Sequence, residues 1–348
     1  MKKIRTLLVG ILLATTAIAS AQQVNTLYFL ENAPMRHTIN PAFQPVSRFY
    51  LTLPVVGYTS LWTGTNNWTM SDFIFKGPDG NTITPFHPDA PTDWLTGKPK
   101  QFIFDADMHL NVLGFGFAIK DFGYFHLNIS EHLTADAGFS SSLFGINDLS
   151  SGQILPTSLS ANALLYTDIA LGYSHKINKQ WTVGGKIKVL VGQAKINANF
   201  NDLSLSTSLD SLRVSGTGHI YAAAPLSWST IPQDPAKIAE YDINDLFGQY
   251  TGSTENIIKE ALKPAGMGVA FDLGVTYKPI KNLQITASVT DLGFIRWKRH
   301  ARASLAIDTT FTGVDFEYSD YGSMDGFDSD KMMEDATNTL SGYLDVVQ

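Results

Sequence analysis

Apolar side chains recur at every second position on both sides of a short turn between Gly266 and Trp297. Val269, Phe271, Leu273, Val275 and Tyr277 alternate with Ala270, Asp272, Gly274, Thr276 and Lys278. After the turn Lys278–Asn282 the pattern resumes, with Leu283, Ile285, Ala287 and Val289 against Gln284, Thr286, Ser288 and Thr290. A period of two sends alternate side chains to opposite faces of a strand, and two such runs across a short turn make an antiparallel hairpin. Each run reaches the ~9–11 residues that a tilted strand needs to cross a bilayer. One face is apolar and the other is small and polar, which is how a membrane barrel divides lipid from lumen, although a soluble sandwich shares the alternation.

Composition and the first residues narrow the choice. The chain has 348 residues, no cysteine, 16% charged residues and 11% aromatics. Disulfides, thiolate metal sites and cysteine nucleophiles are therefore excluded. A formal charge of −7 argues against nucleic acid, whose phosphates need a basic surface. Lys2, Lys3 and Arg5 precede an apolar run from Leu7 to Ala19, and Ala19-Ser20-Ala21 follows as a small-x-small cleavage site. Residues 1–21 read as a secretory signal peptide. No later apolar run reaches the ~18 residues of a membrane helix, so the expected class is all-β and the expected location is the outer membrane.

Residues 22–46 look irregular and contain Asn40-Pro41-Ala42, read either as a lead-in or as a plug inside a barrel. Residues 47–298 carry the predicted barrel strands and loops. Ser47–Leu61 is a strand candidate interrupted by Pro54, and Trp62–Gln101 reads as loop. Phe102–Ile119 and Tyr124–Phe139 form a hairpin whose first strand changes phase, which a one-residue bulge near Val112 would repair. Leu143–Thr157 reads as loop, and Ser158–Phe200 as a third hairpin with Tyr173 and Trp181 near its turn, as in an interfacial aromatic girdle. Leu203–Ile220 reads as a hairpin extending beyond the membrane, and Ser253–Leu262 as a short helix. Residues 299–348 are acidic and read as an extracellular loop with a possible terminal helix through Met333, Ala336, Leu340 and Tyr343.

Connection lengths favour the barrel. Turns at Lys120–Gly123, Lys176–Gln180 and Lys278–Asn282 are short, whereas Trp62–Gln101, Leu143–Thr157, Asn201–Ala265 and the stretch after Trp297 are long. Barrels alternate short periplasmic turns with long outer loops. About seven membrane strands result. An odd number cannot close a single-chain bacterial barrel, so the sequence reads as the first half of one, with a further half expected.

Two stretches, Asn25–Pro45 and Phe271–Trp297, resemble an outer-membrane β-barrel family of Bacteroidota with no named activity, a domain of unknown function. More distantly the layout is similar to FadL-like channels and to the barrel subunit of type IX secretion. That resemblance implies about fourteen strands when complete, and Asn40, Pro41 and Ala42 matching a plug motif held in or against the lumen.

Asp105, Asp107 and His109 share one strand face, which suggests either a water-lined wall or a cation site. With His126, Asp168, Lys186, Lys188 and Asp272 they are the predicted lumen lining. Asp291 falls on the apolar parity of its strand, so a bulge at Asp291-Leu292-Gly293 is expected to turn it inward. Asp291 and Gly293 thereby become a candidate wall kink, which in FadL-like relatives opens a lateral exit. No G-x-S-x-G, H-E-x-x-H or phosphate-loop motif is present, so neither enzyme activity, cofactor nor resident metal is expected. The expected function is admission of hydrophobic or small molecules across the outer membrane; the alternative is a non-transporting barrel that scaffolds a secretion or surface complex. Expected partners are outer-membrane lipid, a hydrophobic small-molecule ligand and the outer-membrane assembly machinery.

Overall fold

The computed structural model describes residues 25–54, 57–85, 87, 89–91, 93–120, 122–143, 154–208, 211–232, 237, 242, 244–245, 263–312 and 344–347. The predicted export signal and the helices predicted at 253–262 and 333–343 lie outside them. A short helix α1 (Asn25–Phe29) and a 3-10 turn (Pro34–Thr38) lead into strands β1 (Phe49–Thr52) and β2 (Thr59–Thr65). A small hairpin follows, β3 (Phe75–Lys76) and β4 (Thr82–Ile83). The long strands are β5 (Gln101–Ile119), β6 (Gly123–Ser140), β7 (Ile154–Lys176) and β8 (Trp181–Ser208). After them come β9 (Ser211–Ala223), β10 (Gly266–Ile280), β11 (Leu283–Trp297), β12 (His300–Thr312) and β13 (Leu344–Val347). No helix among the described residues is long and apolar enough to cross a membrane.

Every pairing among the described residues is antiparallel, and apart from the separate β3–β4 hairpin the pairings resolve into one wall of eight strand lines, the last of them β13 alone. β1 and β2 occupy opposite ends of β5, with Leu51 facing Phe115 and Leu61 facing Met108. They are one line broken around Pro54, which cannot donate to the ladder. β5, β6, β7 and β8 follow side by side. Lys195–Ser208 of β8 pair with β9, and Trp181–Gly192 pair with β10. β9 and β10 therefore form a single line interrupted by residues 224–265. β11 and β12 continue in the same way on the far side, pairing with β10 and β9 respectively. The seam is stitched at Ala265, which is fully buried: its N–H donates to Gly192 O at 2.8 Å, and its carbonyl accepts from Lys298 N–H at 2.8 Å.

The sheet is not closed, as the odd strand count predicts: among the described residues the outer edges of β1, β2 and β11 carry no partner strand. Several other expectations need correction. Residues 299–348 are not loop alone, because β12 extends the wall and β13 pairs with it. β7 begins at Ile154, inside the stretch read as loop. Trp62–Gln101 contains the end of β2, a 3-10 turn at Met70–Phe73 and the β3–β4 hairpin. The hairpin predicted over Leu203–Ile220 is present, with Ser208 paired to Ser211, and the long connection leaves after it, at the seam instead of the sheet end. Polar segments with isolated apolar residues hide these strands, since their ladders are set by neighbours already in place.

The predicted phase change on β5 is a bulge. The register slips between Asn111 and Leu113, so Val112 is the extra residue and the apolar parity is restored beyond it. The predicted bulge on β11 is also present. Phe271 faces Leu292 and Leu273 faces Val289, so Thr290 and Asp291 together oppose Asp272. Asp291 takes a left-handed φ of 58°, rare for a residue with a side chain.

The wall has inverted polarity. Ile169, Leu171, Ile187, Val189, Phe271 and Leu273 are exposed, while Asp168, Ala170, Lys186, Lys188, Ala270 and Asp272 beside them are buried. The buried face is the one covered by the N-terminal segment, whose Leu27 and Met35 pack with Tyr50 and Tyr124 in an apolar cluster.

Candidate functional site

The N-terminal segment is held against the inner face by the predicted plug motif. The Asn40 side-chain amide donates to Val275 O at 3.3 Å and Ala287 O at 3.2 Å, the carbonyls of a paired couple on β10 and β11. Asn40 Oδ1 accepts from Ala42 N–H at 2.8 Å, which folds the tripeptide into a tight turn. That turn rests on Gly184 and Gly274, which face each other across β8 and β10. A Cβ on Gly184 would collide with the Pro41 carbonyl, and one on Gly274 with Asn40 Oδ1. Two paired glycines thus make the socket for Asn40 and Pro41. The pairing needed the tertiary structure, because 90 residues separate the two glycines in sequence.

Around this anchor the segment makes polar contacts with three further strands. Ser288 Oγ donates to Ile39 O at 2.9 Å. His37 Nε2 and Tyr50 Oη are 2.8 Å apart, and the His37 ring stacks on His126 at 4.2 Å between centroids. Burial, and then neighbouring His126 and Lys186, hold His37 well below the usual imidazole value of 6.5. Arg36 donates to Tyr28 O at 2.9 Å and lies over the Phe43 ring at 4.4 Å. Its guanidinium is lowered by burial.

The segment separates two compartments. On one side is a cavity of about 510 Å³ whose wall includes His37, Ile39, Asp107, His109, Asp168 and Lys188. On the other, near the turns Ile177–Gln180 and Lys281–Asn282, a pocket of about 370 Å³ is lined by Arg36, Phe43, Lys176 and Lys278 among others.

Charge in the larger cavity is organised around Asp272, which is fully buried. Its Oδ2 lies 3.4 Å from Lys186 Nζ and 3.0 Å from Lys188 Nζ. Its Oδ1 accepts the Asp291 N–H at 2.8 Å, and Asp291 Oδ1 lies 2.6 Å from Lys188 Nζ. The bulge therefore does two things: it brings the Asp291 carboxylate to Lys188 and aims the Asp291 N–H at Asp272. Buried charges persist only when paired in this way. On the facing strands, His132 Nε2 meets Asp168 Oδ2 at 2.8 Å, and the His132 ring lies between His109 and Tyr166, at 4.3 and 4.8 Å between centroids. Asp168 Oδ1 and His109 Nε2 are buried and have no hydrogen-bond partner among the described residues.

The predicted lining residues divide into three groups. Asp107, His109, Asp168, Lys186, Lys188 and Asp291 line one cavity. Asp272 sits beneath the lysines, and His126 beneath the N-terminal segment, both without access to it. Asp105 stands apart, opposite Asp136 on β6. Asp105, Asp107 and His109 do not converge, and among the described residues no group of three metal-ligating side chains forms. Gly293 lies beside Ala270, where a Cβ would collide with the Val269 carbonyl. With Asp291 it borders a smaller pocket of about 270 Å³ that also touches Phe294 and Trp297. Sequence reasoning did not single out His132, Tyr58, Tyr166 or His37. His132 shares its parity with His126 on β6, and nothing local marked the others.

The comparisons with curated proteins and with solved structures give no match. A family of unknown function, DUF5723, matches residues 41–346, which is most of the chain, from the Pro41 anchor to the last described strand. The chain belongs to the family DUF5723.

Proposed function

We propose that this chain forms the wall and plug of an outer-membrane β-barrel that admits small molecules. The inverted polarity carries this reading. Lys186, Lys188, Asp168 and Asp272 are buried, whereas Ile187, Leu273 and Phe294 on the other face are 58%, 64% and 66% exposed. Each large apolar side chain left in water forgoes about 1.5–3 kcal/mol, a loss that lipid contact removes. The unpartnered edges of β1, β2 and β11 support the same reading in a specific form: strand edges in hydrocarbon need partners, so further strands complete the barrel. The FadL-like layout, with a plug, a kinked wall at Asp291 and Gly293 and about fourteen strands, fits these features. The expected cargo was hydrophobic or small. The polar lining of the larger cavity supports the small hydrophilic class.

Gel mobility of the protein extracted from outer membranes, boiled against unboiled, tests the barrel. A heat-dependent shift is expected, and extraction by urea without a shift would sink the reading. One observation favours a second reading. The N-terminal segment stands between the two compartments, as it would in a barrel that scaffolds a surface complex without conducting. Planar-bilayer recording separates the two: conductance that rises when Asn40 is replaced by Ala supports transport, and silence in both proteins supports the scaffold.

A further inference from the structure

The larger cavity has an uneven charge pattern that points to its ligand. Lys186 and Lys188 are both committed to Asp272 and Asp291. Four carboxylates in and beneath this wall, Asp107, Asp168, Asp272 and Asp291, face two ammonium groups, a surplus of two formal negative charges before any histidine is counted. The surplus lies on the β5–β6–β7 side. Among the described residues Asp107 meets only the Thr134 hydroxyl, at 3.4 Å, and Asp168 meets His132. Asp168 is 4% exposed, and among the described residues its Oδ1 has no donor. A buried acceptor left unfilled is destabilising unless something donates to it. The Tyr58 ring belongs to the same wall, set edge-on to His109 at 5.2 Å. Carboxylates beside an aromatic ring make a receptor for an organic ammonium group.

We propose that this cavity binds a small organic cation, an amine or polyamine, through Asp107, Asp168 and Tyr58. The proposal deepens the transport reading and rests on it for its biological sense, but the binding chemistry is separate. The lysines, on the adjoining strand β8, are already paired with Asp272 and Asp291 and offer no free positive charge to an anion. The volume of about 510 Å³ lies within the usual range for small-ligand sites, and its polar lining disfavours an acyl chain.

Isothermal titration of the full chain in detergent tests this, with spermidine as cationic probe, glutarate as anionic probe and palmitate as apolar probe. Spermidine is expected to saturate at low salt and weaken as salt rises, with no saturation by glutarate. Asp168→Asn and Asp107→Asn are each expected to weaken spermidine binding at least about tenfold, the loss of one charge-assisted contact. Asp107 lies outside the buried core, so its variant keeps the test sound if Asp168→Asn fails to fold. Preference for palmitate or glutarate, or spermidine binding unchanged in both variants, would overturn the proposal. The heat-shift assay on the same preparation keeps the two readings apart. A lost shift with spermidine binding retained refutes the membrane barrel alone, and a retained shift with palmitate preferred refutes the cation site alone.

Discussion

At the scale of single residues, the site depends on small groups in close contact. Gly274 has no room for a Cβ beside Asn40 Oδ1. Gly274→Ala is expected to weaken docking of the N-terminal segment by about 1–3 kcal/mol, the usual cost of overpacking. Limited proteolysis within residues 25–46 measures it; unchanged protection would show that the socket has slack. Asp272 is the only carboxylate within ion-pair distance of Lys186 among the described residues. Asp272→Ala leaves the buried Lys186 ammonium uncompensated and is expected to cost about 3–5 kcal/mol in a urea titration in lipid vesicles. His37 gives a pH dependence whose sign follows from its lowered value. The docked ring resists protonation, and a released ring titrates near 6.5, so the released state binds more protons. Docking is therefore complete above that value and weakens as the pH falls below it, with His126, Lys186, Lys188 and Tyr50 as the groups facing the ring. Proteolysis at pH 7.5 and pH 5 checks this, and His37→Phe is expected to reduce the difference, with His126 beneath the segment supplying the remainder.

At the scale of elements, two bulges decide what each strand presents. Val112 on β5 changes the parity so that Asn111 is buried while Phe115 and Phe117 share the apolar side of the wall with Phe49. Thr290 and Asp291 on β11 turn a carboxylate from the apolar parity to Lys188. Both bulges were legible in the sequence, because a period of two that breaks must be mended by one extra residue. The seam was not legible. Nothing near Ala223 or Gly266 announces that β9 and β10 share one line, since that depends on which part of β8 each one meets. The apolar face yields a further prediction on the membrane reading. Leu273→Arg is expected to lower stability in vesicles by about 2–4 kcal/mol, the cost of a cation on a lipid-facing strand near the midplane. No loss on urea unfolding would place that face in water.

At the scale of the whole molecule, the absence of cysteine makes surface mapping direct, since each introduced thiol is the only one present. In proteoliposomes, Ile187→Cys and Phe271→Cys are expected to resist a charged maleimide while Lys278→Cys near a turn reacts. Rapid labelling at Ile187→Cys would sink the membrane-facing assignment. Alternation also made most of the wall readable: the β5–β6, β7–β8 and β10–β11 hairpins lie where the apolar periods put them. The open edges were readable only as an odd strand count. Asp107, His109, Asp168, Lys186 and Lys188 border one cavity, but parity does not tell cavity wall from filled space. Asp272 and His126 have the correct face and are sealed beneath other groups.

By itself the sequence determined the all-β class, the hairpins, the two bulges and which face of each strand is polar. All of these are local, because a side chain's face follows from its count along the strand. The tertiary structure decided which polar residues meet. The Gly184–Gly274 socket, the Asp272 ion pairs, the His37–His126 stack and the two separate compartments join residues far apart in the chain. Their meeting is set by register between strands and by the path of the N-terminal segment, and neither is encoded in any local period.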